Sequence, residues 1–208
     1  YSSAIGEDIY GRSFSERLEI LGIQNSMAVV SGDTGTCLVV VTPDGDRTMN
    51  THLGACRSYK KEFVPVEQIK KSKMFFTTGY VWDTPDQIDA VEFAIRTAKQ
   101  NNVRVALDIA DPFVVSRSGD RIKSFFDGTV SLFFANADEA DMLVGCRGAD
   151  AAKKLGEKIE LAVVKDGPGG AYIAHAGKVI HIPTNKVAAV DTTGAGDMFA
   201  GGFMYGLT

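Results

Sequence analysis

The sequence lacks long hydrophobic runs, paired cysteines and an excess of positive charge, and each absence excludes a class of protein. The longest apolar stretches, such as residues 38–41 and 161–164, are far shorter than the roughly 20 residues that a membrane helix needs. The three cysteines are few and widely spaced, which favours reduced thiols in a cytoplasmic protein over a disulfide framework or a metal site. The formal net charge of -4 leaves no electrostatic footprint for nucleic acid or an anionic membrane.

The bulk composition is that of an ordinary globular protein. The 208 residues suffice for one sizeable domain, or for one domain with a small appendage. Hydrophobic residues make up 45% of the chain and charged residues 23%, a balance that excludes a disordered or fibrous protein. The 22 glycines exceed average usage, which favours an α/β protein with tight turns and loops that approach a phosphate group closely.

Strand patterns alternate with helix patterns over most of the chain. Apolar runs predict strands at residues 74–78, 103–109, 131–135 and 161–165, and apolar spacing predicts helices at 10–21, 85–101, 120–126, 138–144 and 198–207. This alternation predicts a mostly parallel sheet covered by helices on both faces. Ligands bind such sheets outside the carboxyl ends of the strands, and the polar motifs of this chain follow its strands.

The segment from residue 27 to residue 55 departs from this alternation. Residues 36–42 and 47–53 are β-prone and flank the turn 43–46, whose Asp-Gly pair is typical of a hairpin. Residues 27–30 form a further predicted strand. The segment therefore predicts a small β appendage to the main sheet.

The segment 191–197 carries the most specific chemical signal. Its small residues Gly194, Ala195 and Gly196 let a ligand approach the backbone, and an apolar helix follows. Unpaired N–H groups in the first turn of a helix, together with the helix dipole, form an anion site. Asp197 lies at the entrance to this site and has two interpretations. Either it caps the helix, or it accepts a proton from a hydroxyl group while the N–H groups stabilise a phosphoryl group.

The run from Asp191 to Asp197 resembles, at every position, the second signature of the ribokinase/PfkB family of carbohydrate and nucleoside kinases. The resemblance implies that Asp197 is the catalytic base, that the backbone of 194–196 forms the anion hole, and that ATP is the phosphoryl donor. It also implies that Asp191 and Thr193 contact a monovalent cation such as K⁺. The fold expected from the family is ribokinase-like α/β: a central, mostly parallel sheet flanked by helices, with a small β lid over the substrate.

A second motif, Asn136-Ala-Asp-Glu139, follows the predicted strand 131–135. It resembles the family's Asn-x-x-Glu motif. This implies that Asn136 and Glu139 organise Mg²⁺ and the ATP phosphates, with Glu139 contacting the ion through water. Taken from the residues alone, the same four positions also fit a capping box at the start of a helix.

The loop after strand 161–165 resembles the family's glycine-containing nucleotide loop. The resemblance implies that Lys165 reaches a nucleotide phosphate and that Gly167 lets the chain pass close to the nucleotide. Asp166 departs from the small or apolar residue that the family has at this position. The alternative from the residues alone is a surface turn with a solvated lysine.

Several stretches resemble the adenosine kinases within the family, notably residues 50–62 and the pair Gly79-Tyr80. This resemblance favours adenosine as the acceptor and implies Asn50 and Tyr80 as substrate contacts, with the Tyr80 ring stacked on the base. An aromatic residue after a strand also fits ordinary packing. Two other functions stay open: a sugar kinase acting on ribose or fructose, and a non-catalytic sensor that binds a nucleotide or a sugar.

The resemblance covers essentially all 208 residues as one kinase domain, with the lid hairpin inserted at about 27–55. Residues 6–11 resemble the Gly-x-Asp-x-x-Gly stretch that lies after the family's first sugar-binding signature. That signature and the region that closes over adenine are absent, so we expect a chain truncated at both ends. The long apolar strand 36–42 has exposed edges in a hairpin, which predicts a homodimer paired through the lid. The other expected partner is a small-molecule substrate.

Overall fold

The fold is described from a computed structural model that covers residues 1–42, 47–185, 187 and 191–208. The predicted turn 43–46 lies outside the described residues. The strands are β1 Ser2–Ile5, β2 Ser26–Val29, β3 Thr36–Val41, β4 Arg47–His52, β5 Met74–Thr78, β6 Arg104–Asp108, β7 Val130–Asn136, β8 Leu161–Lys165, β9 Ala171–His175 and β10 Lys178–Ile182. The helices are α1 Ile9–Ile20, α2 Val66–Lys71, α3 Pro85–Gln100, α4 Pro112–Lys123, α5 Ala137–Val144, α6 Gly148–Gly156 and α7 Ala195–Leu207.

The chain divides into two compact units. The first unit comprises Tyr1–Gln68 with Asp83–Ala94, and the second comprises Ile69–Trp82 with Ile95–Thr208. In the part of the chain that the structure describes, no helix is long and apolar enough to span a bilayer. All three cysteines are free thiols, as the sequence predicts.

The second unit is built on a six-stranded sheet in the order β10-β9-β8-β7-β6-β5. Strands β5 to β8 pair in parallel, whereas β8, β9 and β10 pair antiparallel. The central strands β6, β7 and β8 are almost wholly buried, as expected for parallel strands covered on both faces. The predicted α/β class with a mostly parallel central sheet is confirmed.

Side-chain alternation along β7 separates the two faces of this sheet. Leu132 and Phe134 belong to a buried cluster that packs against α7, where Phe134 contacts the ring of Phe203 edge-on at a centroid distance of 5.5 Å. Phe133 points to the opposite face and stacks at a tilt on Phe126 at 4.8 Å. Helix α7 therefore covers the face of the sheet to which Leu132 and Phe134 point.

Helix α4 begins earlier than the sequence pattern predicts. Its first residue is Pro112 rather than residue 120, because Asp111 caps it by accepting the N–H of Phe113 at 2.6 Å and proline is favoured in the first turn. The buried stripe of α4 includes Ser118 and Gly119, which weakens its hydrophobic periodicity. Helix α6 was not predicted, since alanines supply most of its buried face.

The first unit contains two small sheets. Strands β1 and β2 pair in parallel, and β3 and β4 form the antiparallel lid hairpin with Cys37 opposite Thr51 and Val39 opposite Met49. Strand β2, which lies inside the 27–55 segment, thus pairs with β1 rather than with the hairpin. Both faces of β3 are exposed.

The Gly-x-Asp-x-x-Gly stretch ties α1 to the residues that precede the lid hairpin. Asp8 caps α1 by accepting the Gly11 N–H at 2.8 Å, and it also accepts the N–H and the hydroxyl of Thr34, each at 2.7 Å. A side chain at Gly6 would collide with the carbonyl oxygen of Gly32, so the motif needs glycine there. These hydrogen bonds lower the pKa of Asp8 to about 2, first through the Gly11 and Thr34 backbone donors.

We predict that Asp8→Asn lowers the midpoint of chemical unfolding at neutral pH. In the variant, the NH₂ group of the asparagine replaces the carboxylate oxygen that accepts the Thr34 N–H, so that two hydrogen-bond donors face each other. Because the pKa of Asp8 is depressed, its contribution is present above the ordinary value of 3.8 and is lost as the pH falls towards about 2. The difference between wild type and variant should therefore shrink over that acid range in unfolding curves measured by circular dichroism. The exposed Asp89→Asn is the matched control, and an equal effect of both variants would contradict the role of Asp8.

Candidate active site

Polar side chains follow the buried strands of the second unit at one edge of the sheet. Asp108 ends β6, Asn136 ends β7 and Lys165 ends β8. Because β6, β7 and β8 pair in parallel, with Asn136 opposite Lys165 and Asp108 opposite Phe134, their carboxyl ends meet at the same edge. The strand-end placement that the sequence predicted for the motifs is the one observed.

A buried ion pair bridges two of these strand ends. The Lys165 ammonium nitrogen lies 2.7 Å from Asp108 Oδ2, and the two side chains are 17% and 6% exposed. Burial raises the pKa of Asp108, and the charge of Lys165 partly opposes that rise. Lys165 is therefore neither a solvated surface lysine nor an isolated charge. Sequence reasoning missed Asp108 as a site residue, although an aspartate that ends an apolar strand is a recognisable signal.

The backbone after β6 is strained where it borders this ion pair. The Asp111 N–H donates to Ile109 O at 2.9 Å, which closes a γ-turn around Ala110, whose φ is +69°. Asp108 Oδ1 accepts the Ala110 N–H at 3.1 Å and the Tyr80 hydroxyl donates to Ala110 O at 3.3 Å. Such a conformation costs a non-glycine residue about 1–3 kcal/mol and tends to occur at functional sites. Tyr80 is thus half exposed but anchored at its hydroxyl end.

Asn136 and Glu139 form the capping box that was one of the two sequence interpretations. Asn136 Oδ1 accepts the Glu139 N–H at 2.9 Å, and Glu139 accepts the Asn136 backbone N–H at 2.7 Å and its side-chain amide at 2.8 Å. Glu139 is only 2% exposed. Burial is the largest effect in raising the pKa of Glu139 to about 7, and nearby Asp108 contributes to the rise. Capping does not exclude a second role, because each carboxylate oxygen has further acceptor capacity.

The 191–197 segment leads into α7 through a left-handed residue. Gly194 is the N-cap, with φ +72°, and Asp191 accepts the Thr193 N–H at 2.8 Å. Asp197 is exposed at the third helical position, and its carboxylate accepts no hydrogen bond from the described residues. Within the same described part of the chain, the amides of Gly196 and Asp197 have no hydrogen-bond acceptor. The first turn of α7 thus presents free donors beside a carboxylate that is not used in capping.

Several of these groups lie close enough together for the charge of one to shift the pKa of another. Asp197 raises the pKa of Asp108, after the larger effect of burial. Burial also raises the pKa of Tyr80, with smaller contributions from Asp111, Glu139, Asp197 and Asp108. The structure therefore brings Tyr80, Glu139, Lys165 and Asp197 from the predicted set into one neighbourhood.

The other predicted residues are placed as follows. Gly167 begins the turn after β8 with φ +50°, and no atom lies within 4 Å of the position that a side chain would occupy, so the chain is open to a ligand there. Asn50 lies on β4 opposite Leu38, in the first unit. Asp111, which sequence reasoning also missed, caps α4 beside the strained turn.

The carboxylate oxygens of Glu139 suit a magnesium ion whose other ligands are mainly phosphate oxygens and water. Among the described residues, no group of three or more histidine, cysteine, aspartate or glutamate side chains could hold a metal ion. Mg²⁺ usually keeps several waters and takes one or two carboxylates together with substrate phosphates. Both oxygens of Glu139 already accept hydrogen bonds from Asn136, which suits contact through water.

The fold and the site together define an α/β protein in which the first turn of α7 has amides without an acceptor among the described residues, beside the exposed carboxylate of Asp197. The model of the pfkB family of carbohydrate kinases matches residues 1–208. The chain belongs to this family, as the motif resemblance implies.

Individual relatives agree on the family and differ in the acceptor named. The chain is 26% identical over 208 residues to an uncharacterized sugar kinase of Archaeoglobus fulgidus, covering 99% of this chain and 81% of the relative. It is 30% identical over 219 residues to the ribokinase of Haemophilus influenzae, covering 100% of this chain and 67% of the relative. The solved adenosine kinase of Sinorhizobium meliloti superposes with a TM-score of 0.92 at 30% identity, covering 99% of this chain and 64% of that structure. The chain thus spans about two thirds of the last two proteins.

We predict that Glu139→Gln changes how stability depends on pH. Because burial raises the pKa of Glu139 from 4.5 to about 7, the folded protein holds a proton that the unfolded chain releases between these values. Wild-type stability should therefore fall as the pH rises through this window, by at most about 1.4 kcal/mol for each pH unit. Glutamine keeps a capping box and removes the titration, so the variant's unfolding free energy should fall less. The exposed Glu157→Gln serves as the control, and an unchanged slope in Glu139→Gln would contradict the assignment.

Proposed function

We propose that the protein is an ATP-dependent kinase that transfers the γ-phosphoryl group to a hydroxymethyl group of a nucleoside or a sugar. The observation that carries this proposal is the uncommitted carboxylate of Asp197 on the first turn of α7, beside backbone amides that have no acceptor among the described residues. A hydroxyl nucleophile and a transferring phosphoryl group need these two features together. Family membership and the intact 191–197 motif support the same reaction.

In this proposal, each element of the site has one task. Asp197 accepts the proton of the acceptor hydroxyl as the oxygen attacks the γ-phosphorus and the bond from that phosphorus to ADP breaks. The backbone of 194–196 forms the anion hole for the phosphoryl oxygens; the Gly196 N–H has no acceptor among the described residues, whereas the Ala195 N–H also donates to Thr192 O at 3.1 Å. Phosphoryl transfer proceeds through a loose transition state, so positioning and charge stabilisation supply most of the catalysis. Lys165 and Gly167 contact the nucleotide phosphates. Mg²⁺, when bound, neutralises charge on the ATP phosphates, and Asn136 and Glu139 would hold it through water.

Asp191 and Thr193 are proposed to contact a monovalent cation such as K⁺. The support from the structure is the turn in which Asp191 Oδ1 accepts the Thr193 N–H, which folds the segment directly before the anion-binding residues. A cation there would act by fixing the backbone that carries the amides of 194–196.

The proposed acceptor is a nucleoside, with adenosine favoured, and Tyr80 and Asn50 as its contacts. Tyr80 is 51% exposed, and the bond from its hydroxyl to Ala110 O limits the positions that its ring can take. A half-exposed ring with restricted motion suits stacking against a base. The similarity to the Sinorhizobium meliloti adenosine kinase supports this acceptor, whereas the similarity to the Haemophilus influenzae ribokinase supports a sugar kinase as the second candidate.

We also propose that the chain acts as one kinase domain in the cytoplasm, and that it forms a homodimer through the lid hairpin. Five large apolar side chains of the hairpin are exposed, namely Leu38, Val39, Val40, Val41 and Met49. Val39 and Met49 are paired across the strands and lie on one face, while Asn50 lies with Leu38 on the other. The face that carries Val39 is therefore available to a second copy when Asn50 faces the substrate.

We predict that Asp197→Asn abolishes most of the turnover while stability and ATP binding survive. Asparagine keeps the size of the side chain but cannot accept the proton, and the N-cap of α7 is Gly194, so the helix start is unaffected. Turnover should fall by about 10²–10⁴-fold, measured as ADP release with adenosine, ribose and fructose as acceptors.

The acceptor panel separates the alternatives. Preference for adenosine supports the nucleoside kinase, and phosphorylation of ribose or fructose with no action on adenosine supports the sugar kinase. ATP binding without turnover on any acceptor in the wild type supports the sensor. Near-normal turnover in Asp197→Asn would refute the catalytic role of this residue.

We predict that the wild type sediments as a dimer at micromolar concentration and that Val39→Lys sediments as a monomer. A lysine on this face places a charge in the proposed interface. Because Val39 is exposed in a single copy, the lysine should not disturb the folding of the hairpin. Ile20→Lys, at an exposed apolar position on α1, is the control and should leave the sedimentation coefficient unchanged. A wild-type monomer would contradict the proposal.

A further inference from the structure

The Asp108–Lys165 ion pair lies on the sheet face that α7 covers. Val163 on β8 and Ala106 on β6 belong to the cluster that packs against α7, and the pair lies two residues further along each strand. Since side chains alternate along a strand, Lys165 and Asp108 point to the same face as Val163 and Ala106. Strand periodicity alone therefore places the Asp108–Lys165 pair on the face of the sheet that α7 covers.

The pair spans an intervening strand. Strand β7 separates β6 from β8, so the two strand ends are roughly 10 Å apart. The long side chain of Lys165 crosses this gap and meets Asp108 Oδ2 at 2.7 Å. Asp108 Oδ1 meanwhile accepts the Ala110 N–H, so each oxygen of the carboxylate has a separate partner. Asp108 is therefore held by its own loop, and Lys165 is held by Asp108.

The ammonium group of Lys165 lies against the first turn of α7. Its nitrogen is 3.4 Å from the position that a side chain at Gly196 would occupy. A positive charge next to the positive end of a helix dipole is unfavourable unless an anion binds there. A side chain at position 196 would therefore touch the ammonium group, whereas glycine leaves that space open.

We propose that Asp108 is a positioning residue, which holds the Lys165 ammonium group against the first turn of α7 so that its charge acts on the phosphoryl group bound by that turn. This inference rests on the proposed function and goes beyond it by assigning Asp108 a task. Asp108 itself need not touch the nucleotide. Asp108 restricts the flexible Lys165 side chain to the position in which its charge can act on the phosphoryl group.

The competing explanation is that the ion pair only stabilises the fold. The positioning role and this structural explanation make opposite predictions for the double variant, in which both side chains are neutral. Removing one partner of a buried ion pair leaves an unpaired charge and destabilises the fold, whereas removing both partners often restores stability. Under the structural explanation, Asp108→Asn/Lys165→Met regains anion binding together with its stability. Under the positioning role, it regains stability only.

The test measures the affinity for inorganic tripolyphosphate and for Mg·ATP by calorimetry, the KM for ATP, and thermal stability. The proteins are the wild type, Asp108→Asn, Lys165→Met and the double variant. We expect each single variant to weaken tripolyphosphate binding and raise the KM for ATP by roughly 10- to 100-fold. The double variant should bind no worse than Lys165→Met. If Asp108→Asn proves too unstable to purify, Asp108→Glu takes its place, because it keeps the negative charge and displaces the ammonium group; unchanged KM for ATP and unchanged tripolyphosphate affinity in that variant would overturn the inference.

The exposed pair Lys158–Asp127, 3.3 Å apart, provides the control, and Asp127→Asn with Lys158→Met should leave all readouts unchanged. Recovery of wild-type binding in the double variant would overturn the inference, as would additive losses or unchanged binding in Asp108→Asn. If the wild type binds neither tripolyphosphate nor Mg·ATP, the proposed function itself fails. If the wild type phosphorylates an acceptor while Asp108→Asn matches it in KM and affinity, only the inference fails.

Discussion

The parallel pairing of β6, β7 and β8 is the constraint on which the site depends. It brings Asp108, Asn136 and Lys165 to one edge of the sheet, although 57 residues separate the first from the last along the chain. The same pairing leaves these strands buried on both faces, so each polar side chain at their ends has to find a partner. Asp108 and Lys165 pair with each other, and Asn136 pairs with Glu139 in the capping box. Both pairs lie at the carboxyl ends of the strands, where an open α/β sheet binds its ligands.

The charges of this neighbourhood are unbalanced without a ligand. Asp108, Asp111, Glu139 and Asp197 influence one another or Tyr80, and Lys165 is the cation that opposes the rise in the pKa values of Asp108 and Glu139. Burial is the main cause of the rise in the pKa of Glu139 to about 7, and the negative charges of Asp108 and Asp111 add to it. A magnesium ion near Glu139 would place positive charge among these carboxylates, and the proposed phosphates and water would supply the oxygen ligands that the ion prefers.

The sequence was most informative where a function depends on a contiguous segment. The run 191–197 predicted the turn that leads into α7, because the glycine needed at the left-handed N-cap and the small residues after it are neighbours in the chain. Strands β5 and β8 were predicted at their observed bounds because buried parallel strands are short uninterrupted apolar runs. The Asp108–Lys165 pair could not be predicted in this way, because the order of strands in a sheet is not written in any local pattern. The start of α4 was wrong for a related reason: Ser118 and Gly119 occupy its buried stripe, and small polar residues hide the helical period.

The two interpretations of Asn136 and Glu139 show why a motif in one sequence can be ambiguous in physical terms. The capping box is present, and it holds Glu139 at the carboxyl end of β7 with both oxygens fixed by Asn136. A carboxylate that contacts a metal ion through water needs this kind of fixed orientation, because ordering a free glutamate on binding would cost side-chain entropy. The structural role therefore prepares the functional one. The proposed role of Asp197 as the base follows the same reasoning: the glycine N-cap leaves its carboxylate uncommitted to capping and so able to accept a proton.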